Sequence, residues 1–416
     1  MQTKRTFLPI RLPPKNPNPE KFLIFLSPIL NMNPKEISEG IFWVGAIDWE
    51  ERDFHNFHTL RGLTYNSYLI LDEKKVVIDA VKHKFVSEQL ERISRLVDPK
   101  EIEYVVVNHI EPDHASGLAD LLRVAKDATV ICSQKGKEGL CKFFECKDWN
   151  FMVVKNGDTL KIGKRTLMFL DMTMLHWPDS IATYVVEDKI LFSNDAFGQH
   201  VASEERFAED LGVENALKWA KLYYANILMP LATLIKKKLE ELKGVEVRLI
   251  APSHGVAWRN PKVIVENYAN WAEFKAENKV VVVYDTMWGS TEKLARAIAE
   301  GASKNAKVRL FHVRKDSWTE IVTEILDAKA LAVGAPTIHN SVFPPVAGFL
   351  SYLKSLKPKN KKALAFGSYG WNGVAVKEMA KALEEMGFEI QQFAVKFKPT
   401  KEELQKAYEL GVELSK

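Results

Sequence analysis

From Lys279 to its C-terminus the chain alternates strictly between apolar strands and helical stretches, and nothing else in the sequence constrains the fold as tightly. The apolar runs are Val280–Tyr284, Val308–Val313, Ala330–Gly334, Ala363–Phe366 and Ile390–Val395. Five βα units in succession predict a doubly wound parallel five-stranded sheet, an α/β domain over residues 277–416. A polar connection near Ala276–Lys279 leads into it. Upstream, the pattern is different. Short β-rich runs (Tyr65–Leu71, Lys75–Ile78, Ala128–Cys132, Thr166–Leu170, Tyr184–Val186, Val247–Ile250) are interrupted by helical stretches, the longest around Ala216–Leu242. That mixture predicts an α+β sandwich of two sheets flanked by helices over residues 32–276. Residues 1–31 are basic and Pro-containing, and read as a poorly ordered N-terminal extension. Met32 is a candidate start, because the ordered pattern begins with Ile37–Gly45.

Composition narrows the function classes. At 416 residues the chain holds two domains with full cores. A formal net charge of +4 with no Lys/Arg block argues against a nucleic-acid arm. No stretch reaches the roughly 18 apolar residues of a membrane span, and Phe22–Leu30 is short and contains Pro28. The three cysteines, Cys132, Cys141 and Cys146, form no CxxC. They exclude a disulfide framework, an iron–sulfur cluster and a built-in rubredoxin site, and they point to a reducing cytoplasm. Pairing of Cys141 with Cys146 depends on whether the fold brings them together.

Residues 108–117 read NHIEPDHASG, directly after the apolar run Ile102–Val107. Alternate side chains of an extended segment point the same way, so His109, Glu111 and Asp113 are expected to converge, with His114 joining after a turn. Three further candidates sit in loops beside strands: His176, Asp195 and His254. Four His, two Asp and one Glu exceed what one tetrahedral zinc takes. They suit a pair of ions with a carboxylate bridge, and the His-plus-carboxylate mixture favours iron or manganese. His55 and His200 are candidate donors or pocket residues behind the ligands, and Asp79 a residue that orients one of them.

Between the first strand and helix of the α/β domain runs Thr286-Met287-Trp288-Gly289-Ser290-Thr291, a loop of hydroxyls and glycine suited to cradle a phosphate. It has no Gly-Lys-Ser/Thr, and no GxGxxG occurs in the chain, which argues against a nucleotide P-loop and a nicotinamide site. Two later loops, Pro336-Thr337-Ile338-His339-Asn340 and Ser368-Tyr369-Gly370-Trp371-Asn372-Gly373, follow the third and fourth strands. At the C-terminal edge of such a sheet they would enclose a flat ring, with Tyr369 and Trp371 offering stacking faces.

The His109-x-Glu111-x-Asp113-His114 pattern resembles the metallo-β-lactamase signature, with Glu111 in place of its second His. The loop 286–291 resembles the flavodoxin phosphate loop, with Trp288 in place of its middle Thr. Together, over about residues 35–416, the chain resembles the flavodiiron proteins (A-type flavoproteins). The resemblance implies a metallo-β-lactamase-like αββα sandwich followed by a flavodoxin-like domain, FMN, and a carboxylate-bridged diiron centre. One iron would take His109, Glu111 and His176; the other would take Asp113, His114 and His254, with Asp195 bridging. His114 is the ligand in which family members differ. It further implies reduction of dioxygen to water, of nitric oxide to nitrous oxide, or both; dioxygen is the expectation adopted here, with no residue that decides it. A separate rubredoxin would donate electrons, and a head-to-tail homodimer or dimer of dimers would bring flavin and iron of different subunits together. Two readings compete: a zinc hydrolase with an attached flavodoxin domain, and an electron carrier or sensor with a merely structural metal. Glu111 and the FMN loops speak against the first; turnover of either gas would exclude the second.

Overall fold

The structure, a computed structural model, describes residues 32–55 and 57–416. The expectations for residues 1–31 lie outside them. From Pro34 onward the chain forms one compact unit. Among the described residues, seven strands form the first sheet, in the order Lys35–Ser38, Ile41–Trp43, Tyr68–Ile70, Lys75–Ile78, Ile102–Val106, Thr129–Cys132, Asn150–Val153. Five form the second: Thr159–Lys161, Thr166–Asp171, Ile181–Val185, Ile190–Asn194, Leu249–Pro252. The two-residue period of a strand sorts the side chains. Val76, Ile78, Val106 and Ile131 of the first sheet meet Leu167, Phe169, Val185 and Phe192 of the second. Their alternates Val77, Val105, Val107 and Val130 pack outward with Leu118, Leu121 and Leu140 of the covering helices. Each such fully buried side chain contributes roughly 1.5–3 kcal/mol. The sandwich is therefore rigid where its strands end, and the candidate ligands sit in the loops that follow those ends.

The third sheet runs Lys307–His312, Glu277–Tyr284, Ala328–Gly334, Lys362–Tyr369, Glu389–Lys396, parallel throughout. Helices Ser290–Ala302 and Lys401–Leu414 cover one face through Leu294, Ile298, Ala407 and Leu410. They cross so closely that a Cβ on Gly301 would stand 1.9 Å from the Tyr408 carbonyl oxygen, which only glycine avoids. The other face, through Val281, Val283, Leu331 and Val333, joins a core that continues into Tyr223, Tyr224, Tyr268 and Trp271 of the first part of the chain.

Three expected elements differ. The run Tyr65–Leu71 is two strands, Leu63–Tyr65 and Tyr68–Ile70. The break is pinned at Asn66, whose Nδ2 donates to the carbonyls of Pro252 (2.8 Å) and Gly255 (3.0 Å). The helical stretch Ala216–Leu242 is interrupted. An α-helix Val213–Tyr223 passes into a π-helical turn, Tyr224–Leu228, then a 3-10 turn, Met229–Leu231, before helix Ala232–Glu241. Pro230 removes a backbone donor there. The polar segment Ala276–Lys279 is no linker beyond Ala276: the strand already begins at Glu277. Lys279 is buried there, with its ammonium 2.6 Å from Glu324 and 2.5 Å from Asp327.

Candidate metal centre and flavin pocket

The strand Ile102–Val106 ends and the chain turns outward through Asn108. Only His109 and Glu111 lie in the extended segment. Asp113 and His114 sit on a short helical turn, Pro112–Ala115, begun by Pro112 at its first position. This corrects the expectation of three alternating ligands on one extended face. The turn sends the two pairs to different places. His109, Glu111, His176 and Asp195 form one group of convergent donor atoms; Asp113, His114 and His254 form a second.

Asp195 stands between them. Its Oδ2 lies 3.0 Å from His176 Nε2 and 3.7 Å from His109 Nε2. Its Oδ1 lies 3.1 Å from His114 Nε2 and 3.6 Å from His254 Nε2. Glu111 Oε2 lies 3.2 Å from His109 Nε2 and 3.3 Å from His176 Nε2. Asp113 Oδ2 lies 3.1 Å from His254 Nε2. All but His176 are buried. Among the described residues, both Asp113 oxygens, both His114 nitrogens and Asp195 Oδ2 lack a well-directed hydrogen bond and meet only one another and the facing imidazoles. Buried polar atoms without partners are costly and rare, so convergent ones call for a cation.

The electrostatics agree. Burial alone would strip protons from the imidazoles, but neighbouring carboxylates reverse this. His109 is raised to about 10 by hydrogen bonds to Asp179 and Glu111, and His176 to about 10 by Asp195 and Glu111. His114 rises to about 9 beside Asp113 and Asp195. Burial pushes Glu111, Asp113 and Asp195 upward, but the surrounding imidazoles outweigh it and hold all three below the usual carboxylate range. The cluster thus stabilises positive charge placed inside it.

Backbone and side chains outside the cluster fix its rings. Asp179 Oδ2 accepts from His109 Nδ1 (2.9 Å) and from the Ile110 amide (2.9 Å), leaving Nε2 to face inward. His254 Nδ1 donates to the Thr64 carbonyl (2.6 Å). Neither Asp179 nor Thr64 was singled out in the sequence. Asp79 accepts from the Asn108 amide (2.7 Å) and side chain (3.2 Å), so it braces the loop rather than touching a candidate ligand; burial raises it to about 6. His55, on the pocket rim, is 2.9 Å from Glu111 Oε1. His200 is buried with Nε2 unpartnered, packed edge-on to His254 and Tyr223; burial and the charge of His254 push it down to about 3. A cavity of about 370 Å³ opens onto the cluster, walled by Phe54, Phe57, Trp177, Tyr223, Asn226 and Ile227.

A second cavity, about 600 Å³, lies at the C-terminal edge of the parallel sheet. Of the predicted flavin residues, Met287, Trp288, Ser290, Pro336, Thr337, Ile338, His339, Ser368, Tyr369, Gly370 and Trp371 line it. Thr286, Gly289, Thr291, Asn340, Asn372 and Gly373 do not, and those with polar side chains brace the loops. Thr286 Oγ1 accepts from the Gly289 amide (3.0 Å), Thr291 meets Ser368 (3.0 Å), and Asn340 Oδ1 accepts from Asn372 (2.6 Å). Gly289, at φ +83°, starts helix Ser290–Ala302, whose N-terminus has no side-chain cap. Lys293, Phe397 and Lys398 also line the cavity and went unmarked in the sequence. The open helix end with Lys293 suits a phosphate, and the flat rim suits a ring.

Residues 63–255 match the family described as ODP family beta lactamase, and residues 282–411 match flavodoxin. The nitric oxide reductase of Moorella thermoacetica is 43% identical over 91% of this chain and 97% of its own. The flavodiiron protein of Giardia intestinalis superposes with a TM-score of 0.90 at 39% identity, covering 92% of this chain and 96% of that one. The rubredoxin oxygen:oxidoreductase of Desulfovibrio gigas gives 0.89 at 40%, covering 92% and 98%. A metallo-β-lactamase-like domain with two donor groups, followed by a flavodoxin-like domain with a ring-sized pocket, defines a two-cofactor oxidoreductase. The chain belongs to the flavodiiron protein family, and FMN and a pair of irons are its cofactors.

Proposed function

We propose that this protein reduces dioxygen to water, with nitric oxide reduction to nitrous oxide as a second activity or the principal one. The observation that carries the reading is Asp195, whose two oxygens face separate groups of buried imidazoles. On this reading residues 32–276 carry the irons and residues 277–416 carry FMN. His109, Glu111, His176 and Asp195 would hold one iron; Asp113, His114 and His254 would hold the other, with Asp195 also within reach of it. When bound, the two irons and the flavin would supply the electrons and the Lewis acidity by which a diatomic gas is reduced.

The chain's own residues set the conditions. Asp179 and the Thr64 carbonyl lock the tautomers of His109 and His254, so that each presents Nε2 inward. Phe54, Phe57, Trp177 and Ile227 keep the cavity apolar above the donors. Tyr223 keeps its proton: burial, then the charge of Asp195, raise it well above its ordinary value. His200 stays neutral and supports the His254 ring by packing. Trp371, Tyr369 and Lys293 line the second cavity; the two rings would offer stacking faces to the flavin and Lys293 a cation to its phosphate.

Electrons come from a separate small carrier, a rubredoxin or its equivalent. Among the described residues none lines both cavities, and Trp288 and Trp371 on the flavin rim are 94% and 77% exposed. A head-to-tail second copy that sets one flavin rim against another metal pocket fits these facts. The compartment we assign is the cytoplasm, where the free thiols Cys132, Cys141 and Cys146 persist.

The test is anaerobic stopped-flow of fully reduced protein, after iron and FMN are counted, against each gas separately. Fast reoxidation by dioxygen without peroxide establishes the oxygen reductase. Fast reaction with nitric oxide alone, yielding nitrous oxide, makes the second activity the principal one. Zinc in place of iron, or slow reaction with both, overturns the proposal. His254→Asn is expected to lose iron and activity while keeping FMN.

A further inference from the structure

Behind the metal pocket lies a smaller cavity of about 30 Å³. It sits between the outer face of the second sheet (Leu170, Ala182, Leu191) and helix Ala232–Glu241, and it ends against Leu175, Ala196 and Leu228. Each of those three adjoins in sequence a residue of the metal pocket: His176, Asp195 and Ile227. The same three chain segments thus contribute a residue to each cavity. One of those segments is the π-helical turn Tyr224–Leu228, whose extra residue per turn throws Asn226 and Ile227 toward one cavity and Leu228 toward the other.

The lining decides the occupant. Its polar groups are the Tyr268 hydroxyl, which accepts from the Phe197 amide (2.7 Å), and Lys238 at the mouth, paired with Glu241 (2.7 Å). A buried water needs two to four polar partners, and an apolar cavity of this kind stays dry and takes apolar atoms. The volume is about twice the minimum that one water-sized molecule requires. The outer end opens between the half-buried Lys238, Leu239 and Leu242.

We propose that this cavity is a binding site and entry path for small uncharged diatomic gas, feeding the metal pocket from behind. The inference rests on the gas-reducing function given above. Partition into an apolar cavity raises the local concentration of dioxygen or nitric oxide beside His176 and Asp195, without admitting water or ions. The route is separate from the polar mouth of the metal pocket at His55 and Glu111.

Xenon is the probe. Holoprotein crystals pressurised with xenon are expected to show it among Ala182, Leu228 and Leu239. Leu239→Trp fills the path from its half-exposed end, with little risk to folding; Ala182→Ile fills it from the sheet. Both are expected to exclude xenon, keep iron and FMN at wild-type levels, and slow the bimolecular reaction with gas severalfold at unchanged saturating rate. Absence of xenon from the wild-type cavity overturns the site. Excluded xenon with an unchanged bimolecular rate overturns the path. A wild type inert to both gases, with xenon bound, instead overturns the functional reading and the choice of occupant with it.

Discussion

The two candidate cofactor sites are built on opposite principles. The metal cluster is buried: His109 and His254 are 0% and 1% exposed, and each is held through its second ring nitrogen by a group far away in sequence. The flavin pocket is open, made of three loops that brace one another through Asn340, Thr291 and Ser368. A buried donor set is arranged before its metal arrives and strongly disfavours staying empty. An open pocket pays little to be empty and depends on stacking for its affinity. The irons should therefore be hard to remove and stabilising, and the flavin easier to exchange.

The largest effect that would break this contrast is Asp195→Asn. With one charge removed between the two donor groups, we expect iron to fall from two per chain toward none while FMN stays, read by metal analysis and flavin absorbance. Retention of both irons would mean the carboxylate does not bridge. Next is Asp179→Asn, which leaves every proposed ligand in place but disturbs the His109 tautomer. A loss of about 10–100-fold in iron affinity is expected, and unaltered affinity would show that the ring is positioned by packing instead. Smaller again is Trp371→Ala. Loss of one stacked ring removes about 1 kcal/mol, so the FMN dissociation constant should rise several-fold to about tenfold, with iron content untouched.

A separate test, outside both cofactor sites, concerns a buried lysine in the flavin half. Lys361 lies at the N-terminal edge of the parallel sheet, donating to the carbonyls of Leu326 (3.2 Å) and Ala328 (2.7 Å). Burial pushes it down to about 7, from an ordinary value of 10.5. Between those values the unfolded chain binds the proton and the native one does not, so stability rises with pH across that window. Below it both states are protonated and the full cost of burial is felt. Lys361→Met should flatten this rise, measured as urea midpoints at pH 7 and pH 9.5. An equal rise in the variant would remove Lys361 as its source.

The fold and the candidate residues were legible to different depths. The parallel sheet announced itself, because strands buried on both faces are apolar without interruption. Residues 108–117 concentrated four donors in one short segment, and the remaining three stood in loops beside recognisable strands. What the sequence hid depends on contacts between distant residues. Asp179 meets His109 across 70 positions, and the Thr64 carbonyl meets His254 across 190. A backbone carbonyl leaves no mark in a sequence at all. Lys293 and Lys398 were missed because a cation beside a phosphate loop looks like any surface lysine. The break in Ala216–Leu242 was missed because the residues of the π-helical turn are ordinary helix formers, and only Pro230 hinted at an interruption.

That turn has a consequence for how such proteins can be rearranged. Asn226, within it, donates to the Thr319 carbonyl (3.2 Å) and accepts from the Tyr352 hydroxyl (2.6 Å), both in the flavin half, while its neighbour Ile227 walls the metal pocket. The halves are thus not interchangeable cassettes. A chimera that grafts a foreign flavodoxin onto this sandwich inherits a mismatched latch unless the counterparts of Thr319 and Tyr352 travel with it. Deleting a single residue from the turn would rotate the latch out of reach while leaving every proposed iron ligand in place.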